Sequence, residues 1–241
     1  VVSSMEGRWL PLSLPALLTF REEAMLVFDF FAGTGSSTKA FEDAGDTVIS
    51  FEYDKQFEAT EHVDIFDLDS KTLLEKYGRP DFIWASPPCT AFSVASIGHH
   101  WGGGRGAYIP KTESAEMSQR LVAHTRRLIE NLNPRLGFII ENPRGVLRKL
   151  PILDGLERKT ITYCQYGDDR MKPTDLWTNL DWQPREACKN GQPCHVAAPR
   201  GSRTGTQGRK GARDRSMVPY ELGLEIRRTI VLKEKIREVI A

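Results

Sequence analysis

The chain has 241 residues, enough to bury a full core as one domain with a small appendage. Its formal net charge of +1 provides no global field to draw it onto nucleic acid, so any such contact has to come from locally clustered charge. Four cysteines without a disulfide-framework spacing favour a reducing compartment, and no apolar run is long enough to cross a bilayer as a helix.

Residues 1–24 carry apolar stretches broken by proline, Trp9-Leu10-Pro11-Leu12 and Leu14-Pro15-Ala16-Leu17-Leu18. They lack the basic start and unbroken apolar centre of a signal peptide and read as an extension outside the core, with Met25 as a candidate natural start. Leu26 to Phe31 is a continuous apolar strand that runs into Ala32-Gly33-Thr34-Gly35-Ser36-Ser37-Thr38 and then a helix from Ser37 to Ala44. A strand–glycine turn–helix lets backbone approach a ligand closely, and the missing third glycine of the dinucleotide fingerprint argues against NAD. Thr47 to Phe51 reads as a second buried strand ending in Glu52, about 20 residues past the turn, where an acid either accepts from a ribose diol or is a surface acid beside Asp54. Val63-Asp64-Ile65 reads as a third strand end, with Asp64 facing either an adenine amino group or solvent. Together these residues suit an adenosine-bearing ligand lying across strand ends.

Phe82 to Ala85 is a short buried strand, stopped by Pro87 and Pro88, which hold the backbone rigid as it leaves the sheet. Cys89 follows at once, either a nucleophile delivered to a ligand crevice or a small hydrophobe in a turn. From Ser93 to Gly106 the chain is polar and glycine-rich, which fits a flexible segment that closes over substrate or a plain surface loop. His99 and His100 have no metal-ligand partner pattern and read as solvent-exposed. Glu113 to Asn133 has helical spacing (Met117, Leu121, His124, Leu128, Leu132) and stops at Pro134. Gly137 to Ile140 is the next buried strand and delivers Glu141-Asn142-Pro143, a carboxylate suited to proton donation or to capping a helix.

Thr160 to Cys164 and Asp175 to Thr178 read as a strand pair joined by a loop carrying Arg170 and Lys172. From Asn179 to Met217 no regular pattern emerges. Arg200, Arg203, Arg209, Lys210, Arg213 and Arg215 make this stretch either an electrostatic footprint for phosphate or a disordered basic loop. Cys188, Cys194 and His195, with Cys164 as a candidate fourth ligand, are either a zinc site or unliganded side chains; their spacing fits no common zinc pattern, and no metal is assigned. Pro219 to Ile240 is a closing helix with an apolar stripe at Leu222, Ile226 and Ile230.

Phe31-Ala32-Gly33-Thr34-Gly35, Pro87-Pro88-Cys89-Thr90-Ala91-Phe92-Ser93 and Glu141-Asn142-Pro143 resemble, in order, the first, catalytic and carboxylate motifs of the DNA (cytosine-5)-methyltransferase family. The resemblance covers Leu26 to about Thr178 and is to compact, phage- or bacterial-type members. It implies a Rossmann-like α/β fold with a mostly parallel sheet, helices on both faces and a small irregular target-recognition segment. The implied division is an N-terminal extension (1–24), a catalytic domain (25–178), a basic recognition segment (179–217) and a C-terminal helix packing back (218–241). It further implies S-adenosylmethionine as cofactor, double-stranded DNA as partner, no membrane, and a bacterial or phage-infected cytoplasm. Carried over by residue, Cys89 attacks cytosine C6, Glu141 serves N3, and Arg170 and Lys172 stand where the family has Gln-x-Arg-x-Arg. Phe31, Ala32, Gly33, Thr34, Gly35, Glu52, Asp64 and Pro87 are the implied cofactor contacts. Ser216 joins them from Arg215-Ser216-Met217-Val218, which replaces Gly-Asn-Ser-Val. The same residues leave room for RNA cytosine-5 methylation or for catalytically silent binding of DNA and cofactor.

Overall fold

The computed structural model describes residues 24–103, 106–208 and 211–240. The proline-broken N-terminal stretches, the Gly104-Arg105 pair and the basic Arg209-Lys210 pair lie outside those residues. The strands are β1 (Leu26–Phe30), β2 (Thr47–Glu52), β3 (Glu61–His62), β4 (Phe82–Ala85), β5 (Trp101–Gly102), β6 (Ile109–Pro110), β7 (Gly137–Pro143), β8 (Glu157–Thr162) and β9 (Pro173–Thr178). The helices are α1 (Lys39–Asp43), α2 (Ser70–Tyr77), α3 (Ile97–His100), α4 (Glu113–Leu132), α5 (Ala212–Ser216) and α6 (Tyr220–Ile240). Among the described residues, no helix is long and apolar enough to cross a membrane.

Seven strands form one sheet in the order β3-β2-β1-β4-β7-β9-β8, and β5 pairs with β6 as a separate hairpin. Neighbours from β3 to β7 are parallel, whereas β9 runs antiparallel to both β7 and β8. Chain order runs outward in opposite directions from β1 and β4, which makes their junction the topological switch point where open α/β sheets bind ligands. Register fixes what meets there. Phe51, Phe30, Ala85 and Ile140 form one row across β2, β1, β4 and β7. The residues that follow, Glu52, Phe31, Ser86 and Glu141, therefore emerge along one edge.

Alternate residues of each strand serve opposite layers. Phe28, Phe30, Ile83, Ala85, Phe138 and Ile140 pack with Leu73 of α2 and Val122, Leu128, Ile129 and Leu132 of α4. Val27, Phe82, Trp84 and Ile139 pack with Phe41 of α1 and Leu222, Ile226 and Ile230 of α6. Two covered faces are why these strands read as continuous apolar runs instead of alternating ones. The stripe expected on α6 is buried as read; on α4, Leu128 and Leu132 are buried as read, Ala115, Val122, Thr125 and Ile129 join them inside, and Met117 is exposed. The α4 boundary is as expected: Asn133 takes the left-handed conformation at φ 46 just before Pro134.

Three local expectations are corrected. β3 ends at His62, so Asp64 lies beyond the strand, where its carboxylate accepts from Phe66 N (3.0 Å) and caps a short 3₁₀ turn. The glycine-rich stretch after Ser93 contains α3 and the β5–β6 hairpin, because Trp101 is buried, stacks on Phe92 and donates to Ala91 O at 2.6 Å. His99 is exposed, but His100 is buried and hydrogen-bonds Thr112 Oγ1 at 2.8 Å.

Asp29 breaks the apolar run of β1. It is fully buried, accepts from the hydroxyls of Ser37 and Thr38 at 2.8 Å each, and so ties the start of α1 to the strand. Its other oxygen, Oδ1, has no hydrogen-bond partner. Burial raises its pKa to about 7, and the two hydroxyls only partly oppose that. At the far side, Asp46 accepts from Met25 N (3.1 Å) and from Arg227 of α6 (Nε–Oδ2 2.6 Å, Nη2–Oδ1 3.2 Å).

Two stability measurements follow from these groups. Asp29 is an acid whose folded pKa lies above its ordinary 3.8, so its contribution is full below about pH 4 and is lost as pH rises through about 7. In denaturant unfolding against pH, wild type should lose ground to Asp29→Asn over that window, by at most about 1.4 kcal/mol per pH unit. A constant difference between the two proteins would refute the assignment. Arg227→Met should cost about 3–5 kcal/mol in urea unfolding, because it strands a buried carboxylate.

Candidate active site

The glycine turn is built by backbone demands. Phe31, Gly33 and Gly35 all have positive φ (63°, 51° and 69°), and the amides of Phe31 and Ala32 both donate to Phe51 O at 3.0 and 3.2 Å. The chain thereby folds over the end of β2. A Cβ at Gly33 would meet only Phe31 O at 3.9 Å, and one at Gly35 nothing within 4 Å, so the turn faces open space. The positive φ, not crowding, is what selects glycine at these two positions.

Glu52 is locked to this turn. Oε2 accepts from Gly33 N and Oε1 from Asp54 N, both at 2.9 Å. A carboxylate has roughly four acceptor sites, so each oxygen keeps a lone pair for a hydroxyl pair. An open turn beside a fixed, half-buried carboxylate fits an adenosine-bearing cofactor. Ser36 Oγ accepts from Thr34 Oγ1 (3.0 Å) and from Val218 N (3.0 Å). Val218, more than Ser216, is therefore the late-chain residue joined to the turn; exposed Ser216 bonds Arg213 O at 2.7 Å.

Cys89 sits four residues beyond β4 on a loop stitched to β7. Buried Asn142 donates its amide to Pro87 O at 2.9 Å, and Val146 N donates to Phe92 O at 2.8 Å. Gly145 is required at that crossing, since any Cβ would collide with Phe92 O. The thiol reaches the surface yet is closely surrounded. Burial raises its pKa and the Glu141 carboxylate adds to that, whereas Lys172 and Arg215 pull the other way. A thiol, a carboxylate and two cations thus act on one another at the edge shared by β4 and β7.

Glu141 lies inside β7, opposite Leu176 of β9, and not beyond the strand. It is buried and accepts from Tyr163 Oη at 2.9 Å. Burial and the same carboxylate hold the Tyr163 phenol well above its usual pKa, so it stays a proton donor. Lys172, also buried, stands with Nζ 4.5 Å from the centre of the Tyr163 ring and donates to Arg215 O at 3.1 Å. Burial lowers the Lys172 pKa, with Glu141 opposing. Arg170 directs its guanidinium at Asp168 (2.7 Å from Nε), Asp214 O (2.6 Å) and Met217 O (3.0 Å). It clamps residues 214–217 from within.

Of the residues expected to act, the structure thus groups Cys89, Glu141 and Lys172 with Pro87 at one end of the row, and Phe31 to Gly35 with Glu52 at the other. A surface depression of about 890 Å³ is lined by Arg170 and Arg215 among others but by neither Cys89 nor Glu141. Sequence reasoning missed Tyr163 and the bond made by Asn142. The sequence marks Tyr163 only as part of a strand, whereas β8 ends at Thr162 and Tyr163 opens the 3₁₀ turn beyond it, facing Glu141. Residues Cys164, Cys188, Cys194 and His195, to which no metal was assigned, bring their ligand atoms within 4.8 Å of one another.

The model of the family described as C-5 cytosine-specific DNA methylase matches residues 25–151, more than half of the chain. A probable DNA (cytosine-5)-methyltransferase of Frog virus 3 (isolate Goorha) is 28% identical over 222 residues, covering 84% of this chain and 98% of that protein. Among solved structures, the Entamoeba histolytica methyltransferase EhMeth has a TM-score of 0.48 at 14% identity, covering 70% of this chain and 58% of its own. The S. pombe Dnmt2 methyltransferase has a TM-score of 0.44 at 14% identity, covering 68% of this chain and 52% of its own. The chain therefore spans just over half the length of those two structures. With the three motifs on neighbouring strand ends and the family model spanning the first two and the third, the chain belongs to the C-5 cytosine-specific DNA methylase family, the S-adenosylmethionine-dependent DNA (cytosine-5)-methyltransferases.

Proposed function

We propose that this chain methylates cytosine in double-stranded DNA by adding the Cys89 sulfur to C6 of a base rotated out of the helix. The observation that carries this reading is the paired exit of Cys89 and Glu141 from adjacent parallel strands, with the thiol sensing the carboxylate. Carbon 5 of cytosine is a weak nucleophile. When the Cys89 thiolate bonds to C6, the 5,6 double bond opens and C5 becomes enamine-like. The negative charge that this leaves on the ring is met at N3 by a proton or strong hydrogen bond from Glu141. S-adenosylmethionine, when bound, supplies the electrophilic methyl group that C5 takes up. Loss of the C5 proton then restores the double bond and expels the Cys89 thiolate.

The other residues have work in this scheme. Lys172 and Arg215 favour the thiolate against burial and Glu141. Tyr163 holds Glu141 by its phenol and fixes which oxygen is left to face the base. Phe31 to Gly35 and Glu52 are read as the cofactor cradle, Asp64 as its neighbour towards adenine, and Pro87 as the wall beside Cys89. The target base must leave the stack to reach Cys89. The irregular basic stretch 179–217 is read as the segment that follows the DNA backbone, an interaction that weakens steeply with salt.

Duplex DNA carrying 5-fluorocytosine in many sequence contexts, incubated with S-adenosylmethionine, should give a covalent adduct with wild type and none with Cys89→Ser. Glu141→Gln should lower turnover by at least about a hundredfold while cofactor binding persists. No adduct in any duplex context removes the thiol from this role; labelled methyl entering structured RNA instead would move the substrate class. In a second measurement, the pH profile of Cys89 alkylation by iodoacetamide should move to higher pH in Lys172→Met, because a cation that favours the thiolate has been removed.

A further inference from the structure

We propose that Cys164, Cys188, Cys194 and His195 bind one zinc ion as a closed structural site that anchors the basic segment to the catalytic sheet. This inference is independent of the catalytic reading.

Geometry points to it first. Cys188 Sγ lies 3.2 Å from Cys194 Sγ, and His195 Nδ1 lies 3.5 Å from each of those two sulfurs. With Cys164 Sγ, the four ligand atoms are all within 4.8 Å of one another. A regular zinc tetrahedron built on ordinary metal–ligand distances has edges of about 3.8 Å between sulfurs and about 3.5 Å from sulfur to nitrogen. The cluster is therefore the size of a coordination shell. It is not a disulfide: 3.2 Å is well beyond a sulfur–sulfur bond of about 2.05 Å, and all four cysteines of the chain are free. Three sulfurs and one imidazole suit zinc over harder cations, and four protein ligands leave no open position for water, the mark of a structural site.

The surroundings are prepared for the ion. Cys188 N donates to Thr162 Oγ1 and Val196 N to Asp169 O, each at 2.8 Å, so backbone bonds fix the loop on both sides of its three ligands. Gln165 Nε2 points at Cys194 Sγ from 3.7 Å, the kind of outer contact that orients a thiolate. Cys164 is buried, whereas Cys194 is exposed, which leaves the ion a route in.

The chain also has a need for such a staple. Between the end of β9 at Thr178 and the start of α5 at Ala212, no helix or strand is present among the described residues. Loops this long seldom hold a shape without a restraint other than backbone pairing. A metal clip joining residue 164 to residues 188–195 closes a long loop, where such a link restricts the unfolded chain most. It also fixes the residue directly after Tyr163, the partner of Glu141.

The full chain, purified under reducing conditions and passed through a chelating resin, should retain about one zinc per molecule by elemental analysis. Exchange with cobalt should give the thiolate charge-transfer and tetrahedral ligand-field bands of a Cys₃His site. Both signals should be lost in Cys188→Ser with Cys194→Ser, and kept in Cys89→Ser. Stripping the metal from wild type should hasten tryptic cleavage at Lys189, Arg200 and Arg203. Wild type that holds neither zinc nor cobalt, a metal content indifferent to Cys188 and Cys194, or a Cys188–Cys194 disulfide under the same reducing conditions would each overturn the proposal. The cobalt spectrum is read on wild type, so a variant that fails to fold does not leave the question open.

Discussion

The hydrogen bond from Asn142 to the Pro87 carbonyl ties together the two pieces of chain on which the proposed chemistry rests. β4 and β7 are parallel neighbours in register up to Ala85 and Ile140, so their continuations leave the sheet side by side. Two prolines end one strand, while the other runs on into Glu141. Without a link, the Cys89 loop would be free to swing away from the carboxylate. The buried amide forms that link, and Val146 and Gly145 repeat it one turn later by closing on Phe92. An unpaired amide or carbonyl in such a buried place is costly, which makes this crossing rigid as well as close.

Around that crossing the charges are arranged as a compensated set. Glu141 is buried with Tyr163 as donor, Lys172 stands over the Tyr163 ring, and Arg170 is saturated by Asp168 and by backbone carbonyls of residues 214 and 217. Low dielectric makes each of these groups felt strongly by its neighbours. Arg170 differs from Lys172 in kind: its planar fork holds three partners at fixed angles and serves as a structural clamp, whereas a lysine reaches with a single point charge.

Much of this was legible in the sequence, and the reasons for the exceptions are physical. Apolar runs buried on both faces announced β1, β4 and β7, and glycine, proline and acid at the strand ends announced the edge they share; β2, read as buried, has only Phe51 fully inside. Asp29 was hidden because a lone acid within an apolar run carries no sign of its partners, which lie eight and nine residues on. Tyr163 was hidden because only pairing across β7, β9 and β8 turns it towards Glu141. Cys164, Cys188, Cys194 and His195 could be named from the sequence as candidate ligands but not assigned a metal, because their convergence is set by tertiary folding and not by the short knuckles that sequence patterns capture. Met117 was misplaced on α4 because its apolar side chain matches the period of Leu128 and Leu132 but falls on the solvent side.

β9 is the one strand of the large sheet that runs against its neighbours, pairing Pro143 with Thr174 and Thr162 with Pro173. Reversal means that the ten-residue connection ahead of it, with Tyr163 at one end and Lys172 at the other, crests at the rim where Cys89 and Glu141 emerge. A parallel β9 would have begun at the opposite rim and taken Lys172 there, away from Tyr163 at the end of β8. The inverted strand thus works as a return path, bringing an aromatic donor and a cation back to a place that parallel order alone furnishes only with strand exits. Sliding it by a single residue would exchange its inward and outward side chains and pull that connection out of line. In the proposed mechanism, the placement of Tyr163 and Lys172 accordingly depends on the alignment of a strand that contributes none of the reacting atoms.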